Sequence, residues 1–174
     1  MQQNVQHADL FYCIGEAKRN VSDFHLAEHF LLKAISMKLH PSSSYYSLGL
    51  VYQSLDQFEK AVDLLGHFTS LEDSAKGHYE LARCFMKLKR FSESVVHFTR
   101  SLELEDSATV YLLRAEAYEM LGMLEQARQD YRKILEVDPN FHKPYLSYAK
   151  QLEEQGQTEQ AQSIRKFLSK LCLI

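Results

Sequence analysis

The sequence predicts an all-α fold, a solenoid of stacked helical hairpins. Small residues recur at Gly15, Gly49, Ala82, Ala115 and Ala149, in steps of 34, 33, 33 and 34. A second series, Ala27, Ala61, Ser94, Ala127 and Ala161, takes the same four steps in the same order. With only 6 Gly and 3 Pro in 174 residues, little interrupts helix. A fixed period in the low thirties marks stacked helical hairpins, each burying its apolar face on a neighbour, and such solenoids mostly bind other proteins.

Composition bounds the class. At 45% hydrophobic and 25% charged, the chain can bury a continuous core, and its length fits one domain. A net charge of -3 offers no electrostatic footprint for nucleic acid or an anionic membrane. Cys13, Cys84 and Cys172 are odd in number, far apart and without a CxxC, which fits free thiols in a reducing compartment. No apolar run approaches the roughly 18 to 20 residues of a membrane span. Met1 to Asp9 lacks a charged segment followed by an apolar one, so no secretory leader is read. The expectation is a cytoplasmic protein, with nucleus and cilium left open.

Laid over its period, the chain gives a lead-in, residues 1–7, and one array over 8–174. Its units fall at about 8–41, 42–74, 75–107, 108–141 and 142–174. Two apolar-periodic segments per unit predict two helices. In the first unit Gly15 and Ala27 mark them. In the second, Tyr45, Leu48, Gly49 and Tyr52 stand at i, i+3, i+4 and i+7. Leu55 to Glu59 then reads as a turn, with Asp56 as N-cap and Glu59 completing a capping box. Ala61, Leu64, Leu65 and Phe68 form the next apolar face, and Gly49 and Ala61 are expected where the two helices cross most closely. The third unit keeps Ala82 and replaces the second alanine by Ser94; the fourth has Ala115 and Ala127, the fifth Ala149 and Ala161. Phe24, Phe58, Phe91 and Leu124 each precede the second small residue by three and are placed to cover the turn. Pro41, Pro139 and Pro144 fall at hairpin boundaries, and Ser42, Ser43 and Ser44 supply helix-start chemistry.

These residues resemble the tetratricopeptide repeat family. Tyr111, Ala115, Tyr118, Ala127, Tyr131 and Pro139 carry most of its pattern in repeat four, and Tyr45, Leu48, Gly49, Tyr52, Ala61 and Leu65 carry it in repeat two. The resemblance covers about residues 8–174 and implies five repeats in a right-handed α-solenoid. Lys18 and Arg114 depart from it, standing where the family has apolar residues; their long stems are expected to bury while the charges stay wet. Arg165 replaces an aromatic in the last repeat, and terminal repeats are commonly atypical.

The resemblance also implies a concave groove lined by first helices. Its positions read Tyr12 and Glu16, with Arg19; Tyr46, Leu50 and Gln53; Tyr79, Arg83 and Met86; Leu112 and Glu116, with Glu119; and Leu146 and Lys150, with Glu153. The ladder Tyr12, Tyr46, Tyr79, Leu112, Leu146 either binds a partner or fills gaps between neighbouring helices. Arg83, Lys76 and Lys87 read as solvated charge or as a receiver for an acidic stretch. The family's two-carboxylate clamp for chaperone tails would place Tyr12, Glu16, Ser47, Lys76 and Glu80 at its positions. Only Lys76 fits, and Glu16 and Glu80 would repel a carboxylate, so a co-chaperone is the minor reading.

His25-Leu26-Ala27-Glu28-His29 matches the HxxEH pattern of a zinc peptidase. Ala27 is the packing residue, which turns both histidines toward solvent, and no third ligand is evident. No metal, cofactor or catalytic residue is therefore expected, and no enzyme. The last helix extends its apolar stripe through Phe167, Leu171 and Ile174, a possible terminal interface for a homodimer or a larger complex. The sequence thus reads as a non-catalytic adaptor for a protein or peptide partner. A structural subunit assembling through its terminal repeats is the alternative.

Overall fold

The apolar periodicity of every unit folds as two helices. The computed structural model describes the backbone of residues 2–37 and 41–170, and the side chains of 9–37, 42–143, 145–150 and 152–170. The helices are α1 (Gln2–Asn20), α2 (Phe24–Ser36), α3 (Pro41–Ser54), α4 (Phe58–Leu71), α5 (Ala75–Lys87), α6 (Phe91–Leu104), α7 (Ala108–Met120), α8 (Leu124–Val137), α9 (Lys143–Glu154) and α10 (Thr158–Lys170). Helix α1 begins at Gln2, so residues 2–7 continue the first helix. The chain divides into two compact units, Met1–Ser101 and Leu102–Ile174.

Unit 1 has its core in Ala27, Leu31, Leu48, Val51, Ala61 and Leu65, all fully buried. Each buried leucine contributes roughly 1.5 to 3 kcal/mol. The small residues explain how closely its helices approach. A Cβ on Gly49 would lie 2.7 Å from Leu65 Cγ, and one on Gly15 would lie 2.7 Å from Leu31 Cγ. The tight contact is thus glycine against a leucine one turn beyond Ala61, rather than glycine against the alanine itself. Unit 2 gathers Ala115, Ala127, Tyr131, Ile134 and Leu168 around a core of its own.

The turns inside the hairpins share one backbone form. Ser22, Asp56, Lys89, Gly122 and Gly156 have φ of 60°, 55°, 58°, 73° and 75°, and they recur with the same steps as the small residues. Each donates its N–H to a carbonyl three residues back, and the following residue donates to one five residues back. Examples are Gln57 to Tyr52 at 2.9 Å and Met123 to Tyr118 at 2.8 Å. This is a Schellman closure repeated five times. It corrects the reading of repeat two: Asp56 occupies the left-handed position ending α3, Gln57 is the N-cap of α4, and no side-chain capping bond forms there. Phe24 and Phe58 pack against the core behind these turns, whereas Leu124 is 61% exposed.

The departures from the repeat pattern are resolved by pairing. Arg114 does not carry its charge out to water. Its guanidinium donates to both oxygens of Asp130, at 2.8 and 2.7 Å, with the Asp130 side chain only 5% exposed. Arg165 pairs with Glu153 at 2.7 Å, and Lys18 with Asp23 at 3.4 Å. Cys84 is buried, which pushes its thiol up to about 11 although Gln53 opposes, while Cys13 is exposed. Cys172 lies outside the described residues.

Unit 1 also holds a polar chain. Arg100 grips Asp73, whose Oδ1 lies 2.9 Å from His78 Nε2, and His78 Nδ1 meets His97 Nδ1 at 2.9 Å. The ring centroids are 5.2 Å apart, the contact plus two ring radii, so the two imidazoles meet edge to edge through these nitrogens. Arg100 and His78 pull the Asp73 carboxyl down to about 2. Burial, aided by His78, lowers His97 below its ordinary value of 6.5.

Candidate partner-binding faces

In unit 1 the helices α1, α3 and α5 present Tyr12, Tyr46 and Tyr79, all half-buried. Tyr46 leans on Phe68 with ring centroids 5.0 Å apart, and Tyr79 on Phe98 at 6.5 Å. Burial and the nearby Glu80 push the Tyr46 hydroxyl well above its ordinary value. Cations stand over these rings: Lys76 Nζ lies 4.1 Å from the Tyr46 centroid, and the Arg83 guanidinium 5.5 Å from that of Tyr79. Glu16 accepts two bonds from Arg19, at 2.9 and 3.0 Å, and Glu80 accepts one from Arg83 at 3.0 Å. Burial would raise Glu16, but hydrogen bonds from Arg19 and Ser47 hold it below the usual carboxylate range. Among the described residues Lys76 forms no ion pair. It lines a cleft of about 200 Å³ with Tyr12, Tyr46, Phe68 and Ser74.

Other groove positions turn out to hold the frame. Gln53 Nε2 donates to the Glu80 carbonyl and to Cys84 Sγ, both at 3.1 Å, tying α3 to α5. Leu50 and Met86 are half-buried.

In unit 2 Leu112 and Leu146 are half-buried against the core, while Glu116 and Lys150 are exposed. Tyr145 lies between Phe141 and Phe167, with centroids 5.7 and 5.1 Å away. A cleft of about 340 Å³ is lined by Leu112, Glu116, Tyr145, Ser163, Ile164 and Phe167. Two expected groove residues and one residue of the expected terminal interface therefore share a wall. Leu171 and Ile174 lie outside the described residues.

The HxxEH residues are placed by packing. His25 and His29 are exposed on α2, and Glu28 accepts the Tyr52 hydroxyl at 2.7 Å. Burial and that bond push the Tyr52 hydroxyl up to about 12. Glu28 thus ties α2 to α3.

Helical hairpins of one period, closed by one turn form, define a helical-repeat interaction module. The profile of the tetratricopeptide repeat matches residues 108–141, and a second profile of the same repeat matches 130–163. A profile described as anaphase-promoting complex, cyclosome, subunit 3 matches residues 20–101. The chain is a tetratricopeptide repeat protein. Among solved structures it is similar to MamA, with 24% identity, 90% of this chain and 94% of that one covered, and a TM-score of 0.72. It is also similar to YrrB, described as a TPR protein with an unusual peptide-binding site, at 18% identity, 92% and 82% coverage and TM-score 0.71. MamA from Desulfovibrio magneticus RS-1 aligns at 16% identity, 95% and 94% coverage and TM-score 0.75. At these identities the likeness is one of fold. Comparison with curated protein sequences gives no match. Among the described residues no helix is long and apolar enough to cross a membrane.

Proposed function

We propose that the chain is a non-catalytic protein-interaction scaffold that takes a segment of a partner protein along its first-helix faces. The supporting observation is the unit 1 face, where Tyr12, Tyr46 and Tyr79 are half-buried and Lys76 and Arg83 stand over Tyr46 and Tyr79. Tyrosine offers large contact area at low entropic cost, and a cation held over a ring adds a charge that a partner backbone or carboxylate can meet. Glu16 and Glu80 are each engaged by an arginine, while Lys76 forms no ion pair among the described residues.

The test begins with a partner cross-linked to the intact chain and identified. Tyr46→Ala combined with Tyr79→Ala is expected to weaken its binding by about 2 to 4 kcal/mol, the range of interface hot spots. Lys76→Ala, which removes no core contact, should weaken it less. Circular dichroism separates lost binding from lost fold. Unchanged affinity in a folded double variant would remove this face from the function. A peptide with an acidic chaperone tail should bind only weakly, because Glu16 and Glu80 occupy clamp positions.

A further inference from the structure

The cleft of unit 2 unites side chains from three helices: Leu112 and Glu116 from α7, Tyr145 from α9, and Ile164 and Phe167 from α10. Its floor is apolar, and at about 340 Å³ it accepts one large side chain with its neighbours. Glu116 stands on this wall with no hydrogen bond or ion pair among the described residues. Three residues on, Glu119 is engaged by Lys170 through two contacts of 2.8 Å, which leaves Glu116 as the uncompensated charge. Partial desolvation, then the field of Glu119, raises Glu116 above its ordinary carboxyl value against the pull of Lys170. A carboxylate so placed is relieved by a cation brought in with the apolar group that fills the cleft. An acidic segment would instead meet like charge at its mouth.

We infer that this cleft docks a protein segment carrying Lys or Arg beside a large aliphatic or aromatic side chain. The apolar side chain enters between Leu112, Ile164 and Phe167, and the cation meets Glu116. Arginine suits the carboxylate best, since its planar fork donates to both oxygens. The inference rests on the scaffold reading above and gives the partner its chemistry at one site.

A random short-peptide library displayed on phage and selected on the intact chain tests this, with each selected peptide mapped by methyl resonances. Peptides that shift Leu112 and Ile164 are expected to combine a cation with a large apolar residue. Their affinity should fall about tenfold in Glu116→Gln, the scale of a lost close charge contact. Selection on Glu116→Lys should turn toward acidic peptides. Thermal unfolding will show both variants folded, because Glu116 is exposed. Peptides that map to the cleft without a cation, or that ignore Glu116→Gln, overturn the inference. Peptides that bind only the unit 1 face overturn it and leave the scaffold reading standing. No peptide on either face overturns both.

Discussion

In unit 1 the left-handed residue of each hairpin turn is Ser22, Asp56 or Lys89; in unit 2 the same position holds Gly122 or Gly156. The contrast extends to charge. Met1–Ser101 carries 11 Lys and Arg against 11 Asp and Glu, and Leu102–Ile174 carries 9 against 12, a net of -3. Among the described residues, the two clefts on the first-helix faces are lined by opposite unpaired charges, Lys76 in unit 1 and Glu116 in unit 2. Inside the hairpins, fully buried Leu48 with Leu64 in unit 1 stands at the register of Arg114 with Asp130 in unit 2. One backbone plan therefore tolerates opposite chemistries at equivalent places, and the side chains decide what each unit recognises and how firmly it holds.

The largest expected effect tests that buried exchange. Arg114→Leu alone leaves Asp130 buried without its partner and should cost about 3 to 5 kcal/mol in denaturant unfolding. Adding Asp130→Leu restores the pattern of unit 1 and should recover the loss or exceed it by about 1 to 4 kcal/mol. A double variant as weak as the single one would show that the pair is integral to unit 2. Next, Gly49→Ala drives a methyl into Leu65 and should cost about 1 to 3 kcal/mol by overpacking. Ala115→Gly, at the same register in unit 2, loses helix propensity and one buried methyl and should cost about 2 kcal/mol.

The turns should respond more gently and with opposite signs. Lys89→Gly relieves an unfavourable left-handed conformation and should stabilise by about 1 kcal/mol, whereas Gly122→Ala should destabilise by about 1 to 2 kcal/mol. Equal effects in both directions would mean that the turn bonds, rather than φ, set the balance.

The smallest effect is the pH response, which should differ in sign between the units. His97 is lowered, so below pH 6.5 the unfolded chain binds a proton that the folded chain refuses, and stability falls as pH drops. The depressed Asp73 adds to this loss only below its ordinary value of 3.8. Glu116 is raised, so the folded chain holds a proton above pH 4.5 that the unfolded chain releases, and acidification toward 4.5 favours unit 2. Glu153, held down by Arg165, works the other way but only under 4.5. Hydrogen-exchange protection, corrected for intrinsic rates, should fall in α5 and α6 between pH 7 and 5 and should not fall in α7 and α10.

The helices and their pairing were legible because apolar spacing and small residues are local signals. The left-handed series was written in the same period yet passed unread, since Ser22, Asp56 and Lys89 do not advertise φ as glycine does. Asp56 looked like an N-cap because aspartate usually is one; its backbone angle, fixed by the Schellman bonds, overrode that preference. Arg114 read as a snorkelling cation because its partner lies 16 residues away on the next helix. The unit 2 cleft was split in the sequence between groove and terminus, and only the packing of α10 brings Phe167 to Tyr145.

The bonds that close the hairpin turns reach back no more than five residues. During synthesis a turn can therefore lock as soon as its last residue clears the ribosome, with nothing awaited from downstream. The first hairpin can be set while the fifth is still unwritten, and the nascent chain can assemble vectorially, repeat upon repeat.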